Sequence, residues 1–255
     1  MIDQAIQEAT AGLGAHQGRY TSSTRRNSLL AFFGVLLLIG AAGAGYAFFT
    51  TDPKATDREG MIVVAVLFAA IGAPLLGIWL AQRGKIVEVY ENGLVRLRGK
   101  TVKVTRWDDI DAVWQQITRN YYNGVYTGTT YVYTIQTRNG EKFKITNVYK
   151  DVESLGNIMQ SEVTKRLLPP MVRAYQSGQT VSFGKLSLSP QGLIYKDKQL
   201  AWNEIKDLKI DRGYISVKKE GGRWSNWASV SAASVPNLLV FLAMIDSIVG
   251  IRSGG

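Results

Sequence analysis

The sequence predicts a membrane α-helical hairpin followed by an α+β soluble region. Two uncharged segments of membrane-crossing length lie near the N-terminus, and from Ile86 onward apolar residues alternate with polar ones. Two runs of predicted strands are each followed by one helix. The first helix has an apolar stripe, and the second has an apolar sequence. Strands followed by a single closing helix are typical of an α+β fold.

The two membrane spans are predicted at residues 29–49 and 61–81, which together form the hairpin 29–81. Each segment has 21 residues and no charged side chain. As a helix it covers about 30 Å, the thickness of the hydrocarbon core of a bilayer. Small residues at four-residue spacing in the second span favour close packing of the two helices or contact within an oligomer. These residues are Ala65, Ala69, Ala73, Gly77 and Ala81.

Basic residues beside the spans predict the orientation. Three arginines precede the first span within residues 19–26, Arg83 and Lys85 follow the second span, and the connector between the spans has only two basic residues. The positive-inside rule therefore places both termini and the soluble domains in the cytoplasm of a multi-pass protein of the cell membrane. The N-terminal cytoplasmic segment, residues 1–28, is expected to be a loosely ordered tail or a short amphipathic helix.

The soluble region divides into a first domain at residues 86–173 and a second at 179–250. Asn-Gly and Gly-Lys turns separate the strands of the first domain. Its closing helix has an apolar stripe from Val152 to Leu167 and is predicted to end at Pro169 and Pro170. The second domain is predicted to close with an apolar helix at residues 235–249, with Ser234 as its N-cap.

An internal repeat relates the two domains. The first contains Asn-Gly-Leu at residues 92–94 and Trp-Asp-Asp-Ile at 107–110, and the second contains Gln-Gly-Leu at 191–193 and Trp-Asn-Glu-Ile at 202–205. Trp107 and Trp202 occupy equivalent positions in these motifs. We interpret them as core anchors of each domain, because large aromatic side chains bury much apolar area.

On these motifs the chain resembles bacterial pleckstrin-homology-like (PH-like) domains, attached to an N-terminal two-helix hairpin as in a group of uncharacterised bacterial membrane proteins. The resemblance covers residues 86–168 and, less closely, 180–249. It implies tandem PH-like β-sandwiches, each with two nearly orthogonal sheets closed by a C-terminal helix. It also implies binding or scaffolding and brings no catalytic residues.

Composition restricts the chemistry that the chain can perform. The sequence has no cysteine and a single histidine, His16, so it cannot by itself form a thiolate site, a histidine-rich metal site or a Ser-His-Asp triad. We therefore expect a non-enzymatic protein that uses no cofactor. Residues 82–255 contain 25 basic and 15 acidic residues, so the net charge of +10 lies on the soluble region. Such a surface favours an anionic partner.

Two surfaces are candidate contact sites. Basic residues flank a tight turn at alternating positions and are expected to project from one face, while Val95, Leu97, Val102 and Val104 point inward. This surface could contact an anionic membrane or be a solvated strand face; its residues are Arg96, Arg98, Lys100 and Lys103. The second candidate is the loop at residues 118–130, whose exposed tyrosines suit a protein partner or the membrane interface. These tyrosines are Tyr121, Tyr122 and Tyr126.

The favoured function is a membrane-anchored binding or scaffolding module that engages a protein partner or the anionic membrane surface. The alternative is an accessory or assembly subunit of a larger membrane complex, or a homo-oligomer, that docks through its hairpin. Nucleic acid is not expected as a partner. A fragment without residues 1–81 is expected to fold by itself, because each domain should bury its own core.

Overall fold

The computed structural model describes residues 10–53, 55, 57–222 and 226–249. In these residues the α-helices are α1 Thr24–Thr50, α2 Arg58–Gln82, α3 Val152–Gln176 and α4 Leu238–Val249. The strands of the first unit are β1 His16–Thr21, β2 Lys85–Tyr90, β3 Gly93–Arg98, β4 Thr101–Arg106, β5 Ile110–Tyr122, β6 Val125–Thr137 and β7 Lys142–Thr146. Those of the second unit are β8 Val181–Phe183, β9 Leu186–Ser189, β10 Gly192–Tyr195, β11 Lys198–Ala201, β12 Ile205–Asp211, β13 Tyr214–Lys219 and β14 Ala228–Ser231.

All strand pairs are antiparallel, and each unit has one four-stranded and one three-stranded sheet. The first unit has the orders β1-β2-β3-β4 and β5-β6-β7, and the second has β8-β9-β10-β11 and β12-β13-β14. Each unit has its own buried core, centred on Trp107 and Tyr133 in the first and on Phe183 and Phe241 in the second. The β-rich region predicted from the alternating pattern is therefore confirmed.

Helices α1 and α2 are both long and apolar enough to cross a membrane, as predicted. Only 6% of the apolar window of each helix is buried, so the helices pack against each other along one side and leave most of their apolar surface exposed. Large side chains such as Phe32, Ile39 and Phe49 are more than half exposed. A soluble protein rarely leaves so large an apolar surface in contact with water.

The backbones of the two helices lie close together where Gly34 faces Gly72. A Cβ atom added to Gly72 would lie 3.0 Å from the carbonyl oxygen of Gly34. The predicted stripe of small residues lies only partly in this contact: Ala65 and Ala69 are half-buried, whereas a Cβ added to Gly77 would meet no atom within 4 Å. Steps of four residues advance about 40° beyond a full turn, so a long stripe of this spacing rotates out of a straight contact.

The helix pair is an insertion within the first sheet. β1 lies before α1 in sequence and pairs with β2, which follows α2. The expectation that the N-terminal segment is a loosely ordered tail is therefore wrong for His16–Thr21, while residues 1–9 lie outside the described residues. Leu13 is 1% exposed and packs against Tyr90 and Val95, which adds burial to the strand pairing.

Both units have their elements in the same order and use tryptophan in the same way. Trp107 and Trp202 each begin a 3-10 turn after a four-stranded sheet. The Trp107 indole N–H donates to Tyr90 O at 3.2 Å, and the Trp202 indole N–H donates to Ser189 O at 3.1 Å. Trp107 is fully buried as predicted, whereas Trp202 is half-buried and packs against the second core.

Helix α3 belongs to both units. Its N-terminal half, including Leu155 and Met159, closes the first core, and its C-terminal half packs Met171 and Val172 against the second core. The prediction that Pro169 and Pro170 end this helix is wrong, since it continues to Gln176. Proline in a helix costs about 3 kcal/mol, and burial of the last turns against the second unit offsets that cost.

Asn237 joins the second unit to the edge of β5. Its backbone N–H donates to Val113 O at 2.8 Å, its side-chain oxygen accepts from Val113 N at 2.9 Å, and its side-chain nitrogen donates to Asp111 O at 2.9 Å. Asn237 is buried with a φ of +51°, so α4 begins at Leu238, three residues later than predicted. The two units thus share a hydrogen-bonded junction that no short motif indicates.

Asn237→Ala is expected to lower the free energy of unfolding by about 3 kcal/mol. The change leaves the buried Val113 N–H without an acceptor and removes the hydrogen bond to Asp111 O. It also puts alanine in a left-handed backbone conformation, which asparagine adopts more readily than alanine does. Denaturant unfolding of the detergent-solubilised chain measures the effect. Asn237→Gly is the control, because it removes the same bonds without the backbone strain and should lose about 1 kcal/mol less. Unchanged unfolding of both variants would show that the side-chain bonds of the junction contribute nothing to stability.

Candidate functional site

The helices attach to the first sheet at one edge. β1 ends at Thr21 and β2 begins at Lys85, directly after α2, and the Ser22 N–H donates to Lys85 O at 2.9 Å. Lys85 pairs with Arg98, which precedes the turn at Gly99 and Lys100. We call this end of the sheet the helix-proximal edge and define it by Thr21, Lys85, Arg98 and Lys100.

The helix-proximal edge is positively charged. Lys85 and Arg98 are direct cross-strand partners, and like charges in such positions repel each other. The pKa of Lys85 is lowered, first by partial burial and then by the Arg98 charge. In the part of the chain that the structure describes, no acidic side chain forms an ion pair with Lys85, Arg98 or Lys100. This edge therefore carries a concentrated positive charge.

The other two predicted basic residues contact an acidic group of the protein itself. Glu141 Oε1 accepts from Arg96 Nη2 at 3.1 Å and from Lys103 Nζ at 2.9 Å. These two bonds lower the pKa of Glu141, so the ion pairs are present at neutral pH and are lost as acid protonates the carboxyl. The Arg96 guanidinium also lies 3.4 Å from the centroid of the Phe143 ring. Arg96 and Lys103 thus connect the two sheets.

The register explains why the four basic residues divide in this way. Arg96 pairs with Lys103 in the middle of β3 and β4, where the second sheet supplies Glu141, whereas Arg98 lies at the strand end. On the opposite face Val95 is buried by Leu13 and Tyr90. The prediction that Val95, Leu97, Val102 and Val104 point inward is therefore wrong. The main core of the first unit lies on the Arg96 face of the sheet, with Val87 and Leu94, and the first three of these residues belong to a separate cluster around Leu13 on the other face. Val104 is 40% exposed on the edge strand β4, outside that cluster.

The predicted tyrosine loop is the outer half of a long β-hairpin. β5 and β6 each have 13 residues and join at Asn123 and Gly124, both with positive φ, as in a two-residue type I′ turn. We call residues 117–131 the tyrosine hairpin. The Asn-Gly pair at its tip was the available sequence signal for this turn. The next strand, β7, pairs with β6 only from Val132 onward, so the tyrosine hairpin extends beyond the sheet.

The three predicted tyrosines do not share one face. Tyr121 and Tyr126 are cross-strand partners in edge-to-face contact at 5.8 Å between ring centroids. They line a groove with Arg119, Tyr131 and Glu153, while Tyr122 pairs with Val125 at the tip and lies outside it. A hydrogen bond from Tyr131 to the Glu153 carboxylate, together with desolvation, raises the pKa of Tyr131. All three predicted tyrosines are more than half exposed.

The base of the tyrosine hairpin lies beside the start of α1. Asn147 Nδ2 donates to Thr129 O at 2.9 Å, and Asn147 Oδ1 accepts from Tyr131 N at 2.6 Å. The next residue, Val148, accepts from the Ser23 N–H at 2.7 Å, and Ser23 directly precedes α1. The roles of Asn147, Lys85 and Glu141 at these surfaces do not follow from the sequence, because they depend on strand register and on contacts between sheets.

The described side chains provide no cluster suited to metal chemistry: none of their histidine, aspartate and glutamate side chains form a group of three that could hold an ion. The groups at the two candidate surfaces are cations, aromatic rings and hydroxyls. The Glu153 carboxylate lies beside the tyrosines. Groups of these kinds bind anions and interfaces through charge and hydrogen bonding.

Fold and site together define a class of protein in which an apolar two-helix pair is inserted into the first of two β-rich units, with a basic edge where the helices emerge. The chain belongs to a family of unknown function, DUF6585, whose model matches residues 1–252. Neither a curated protein nor a solved structure matches the chain.

Proposed function

We propose that this protein is a non-enzymatic, membrane-anchored binding module whose first unit docks on the anionic cytoplasmic leaflet. The helix pair crosses the bilayer with both termini in the cytoplasm, and the helix-proximal edge then meets lipid headgroups as the helices emerge. The observation that carries this proposal is the cross-strand position of Lys85 and Arg98 just after α2, where no acidic side chain among the described residues forms an ion pair with either. An anionic headgroup between two like charges would remove the repulsion that the fold itself leaves uncompensated.

Embedding of the helix pair is supported by its exposed apolar surface and by its connections to the sheet. Two separate chain segments, at Ser22 and at Lys85, lead from the helices into neighbouring strands. A soluble domain held by two short connections has little freedom to rotate away from the bilayer. The edge cations therefore stay within the Debye length of about 8 Å over which surface charges act at physiological salt.

We further propose that the two units are copies of one PH-like sandwich. Equal strand order, equivalent tryptophan hydrogen bonds and a closing helix in each unit support this relation. A glycine in the same place adds to it: a Cβ on Gly93 would lie 2.6 Å from Thr105 O, and a Cβ on Gly192 would overlap Leu200 O. In this scheme the second unit is available for a protein partner, because the first is oriented by the membrane.

Changing Lys85, Arg98 and Lys100 together to glutamine is expected to abolish the preference of the full chain for anionic lipid. Each basic residue near such a surface contributes about 1 kcal/mol. The measurement compares immobilised spin-labelled phosphatidylglycerol with phosphatidylcholine around the reconstituted protein, at low and high salt. The matched control changes three exposed lysines of the second unit, Lys196, Lys198 and Lys218, to glutamine. Equal losses in both variants would contradict a site at the helix-proximal edge.

A second candidate function is an accessory subunit of a larger membrane assembly or a homo-oligomer. It is favoured by small residues on outward faces of the helix pair, since a Cβ added to Gly43 or Gly77 would meet no atom within 4 Å and another helix could approach there. Co-purification from mild detergent distinguishes the two functions. A defined set of membrane proteins lost on Gly77→Leu would support assembly, whereas an unchanged monomer would contradict it.

A further inference from the structure

We propose that the tyrosine hairpin is an interfacial anchor whose tip lies among the lipid headgroups beside α1. This inference rests on the proposed membrane embedding of the helices and adds a third contact between the first unit and the bilayer. The contact residues are Tyr121, Tyr122, Val125 and Tyr126.

The hairpin begins at the level where the chain enters the membrane. Hydrogen bonds connect Tyr131 to Asn147, and the next residue, Val148, bonds to Ser23 at the start of α1. Ser23 precedes Leu29, the first residue of the predicted apolar span, by six residues, or about 9 Å of helix. The base of the tyrosine hairpin therefore lies close to the edge of the hydrocarbon core.

The hairpin then continues past this point. β5 and β7 run in the same direction, because both are antiparallel to β6, and β7 leads towards Ser23. From Thr129, whose carbonyl accepts from Asn147, to the turn at Asn123 the hairpin extends for about 20 Å. The outer part of the strand pair therefore lies beyond the start of α1, where that helix enters the bilayer. In that position it lies along the headgroup layer or within it.

The side chains of the hairpin suit that layer. Tyr122 is 73% exposed and Val125 67%, and Ile117, Tyr121 and Tyr126 are each more than half exposed. From residue 112 to residue 140 the sequence contains no aspartate or glutamate, and the tyrosine hairpin holds one charge, that of Arg119. Tyrosine combines an apolar ring with a polar hydroxyl and is enriched at membrane interfaces. The Glu153 carboxylate lies at the base of the hairpin beside Tyr131, so the absence of acidic residues lowers the repulsion from anionic lipid only at the outer part of the hairpin.

The hairpin is organised before it meets a partner. Tyr126 Oη and Thr129 Oγ1 lie 2.7 Å apart, Asn120 Nδ2 donates to Thr130 Oγ1 at 2.9 Å, and Thr127 Oγ1 donates to Asn120 O at 3.2 Å. An isolated two-stranded ribbon is only marginally stable in water, so these bonds and a covering surface both stabilise it. Lipid is the favoured cover, since the hairpin base is already connected to the helix that enters the bilayer.

The absence of cysteine makes the test direct. Single cysteines at Val125 in the tip, at Arg138 at the opposite end of β6, and at Val66 in α2 are spin-labelled in the full chain and reconstituted in nanodiscs of phosphatidylglycerol and phosphatidylcholine. Collisions with oxygen, which concentrates in lipid, and with a water-soluble nickel chelate are then measured. The Val125 label is expected to lose access to nickel relative to the Arg138 label. The Val66 label should show the oxygen access of the bilayer interior.

The outcomes separate this inference from the function on which it rests. A Val66 label in lipid with a Val125 label in water would overturn the hairpin anchor and leave the membrane module intact. A Val66 label in water would overturn both. A Val125 label that is accessible to nickel in nanodiscs but protected in native membranes would show a protein partner instead, which also overturns the lipid contact.

A second variant tests the tyrosines without moving the label. Tyr121, Tyr122 and Tyr126 are changed together to serine in the chain labelled at Val125, and Thr118, Thr127 and Thr130 are changed to serine in the control. The tyrosine variant should regain nickel access, and the control should not. Equal nickel access in both variants would overturn the role of the tyrosine side chains.

Discussion

A chain in which an Asn-Gly turn replaces residues 23–84 is expected to be soluble and to unfold cooperatively, whereas the fragment 82–255 is expected to be much less stable. The replacement keeps Leu13, β1 and the Ser22–Lys85 hydrogen bond, and it joins two strands that are already antiparallel neighbours. The second unit makes the equivalent connection between β8 and β9 with two residues, Gly184 and Lys185. A two-residue turn can therefore connect β1 to β2 in place of the helix pair.

The truncation at residue 82 removes β1 and exposes the edge of β2. Loss of the buried Leu13 side chain alone corresponds to about 2–5 kcal/mol, and the hydrogen bonds of β1 are lost with it. Urea unfolding followed by tryptophan fluorescence compares the two proteins. Equal urea midpoints of the two proteins would show that β1 adds no stability to the first unit. The helix pair would then precede the folded sheet instead of being inserted between two of its strands.

Gly156→Ala is expected to destabilise the first unit by about 3 kcal/mol or more. Gly156 lies in α3 against the ring of Tyr133, and an added Cβ would overlap that ring. Tyr133 is 1% exposed, so its ring has no free space into which it could move. Overpacking of a rigid core costs 1–3 kcal/mol or more, which exceeds the gain of about 1 kcal/mol in helix propensity from glycine to alanine.

Thermal or denaturant unfolding of the closed chain described above measures this effect. Asn157→Ala, one residue further along the exposed side of α3, is the matched control and should change stability little. Tyr133→Leu provides the second test, because a smaller side chain makes room for the added methyl group. The double variant should be more stable than the sum of the single changes predicts, by at least about 1 kcal/mol. Additive losses would contradict a clash between these two residues.

Several parts of the fold could be predicted from local patterns. The absence of charge over membrane-crossing lengths predicted α1 and α2, and alternation with Asn-Gly and Gly-Lys turns predicted the strands from Lys85 to Arg106. The burial of Trp107 followed from its size and its place in a repeated motif. In each case the residues of one segment are enough to predict its structure, because that structure depends on the burial or the turn geometry of the segment itself.

Other features depend on contacts between distant segments. A window around Pro169 predicts a helix end, but the second core covers the helix beyond it. A window around His16 predicts a tail, but its strand partner follows the helix pair at Lys85. The four basic residues at 96–103 look equivalent in sequence, yet only the fold brings Glu141 to Arg96 and Lys103 and leaves Arg98 beside Lys85.

The sequence by itself determined the two apolar helices, the β-rich character of the rest, the excess positive charge and the lack of cysteine. These are properties of composition and of short-range periodicity, which do not change with the arrangement of the chain. Only the tertiary structure decided that the helices are inserted in a sheet, that α3 serves both cores, and that the tyrosine hairpin begins beside α1. Those relations arise from strand register and from hydrogen bonds such as Asn147 to Tyr131 and Asn237 to Val113, which join residues far apart in sequence and leave no local pattern.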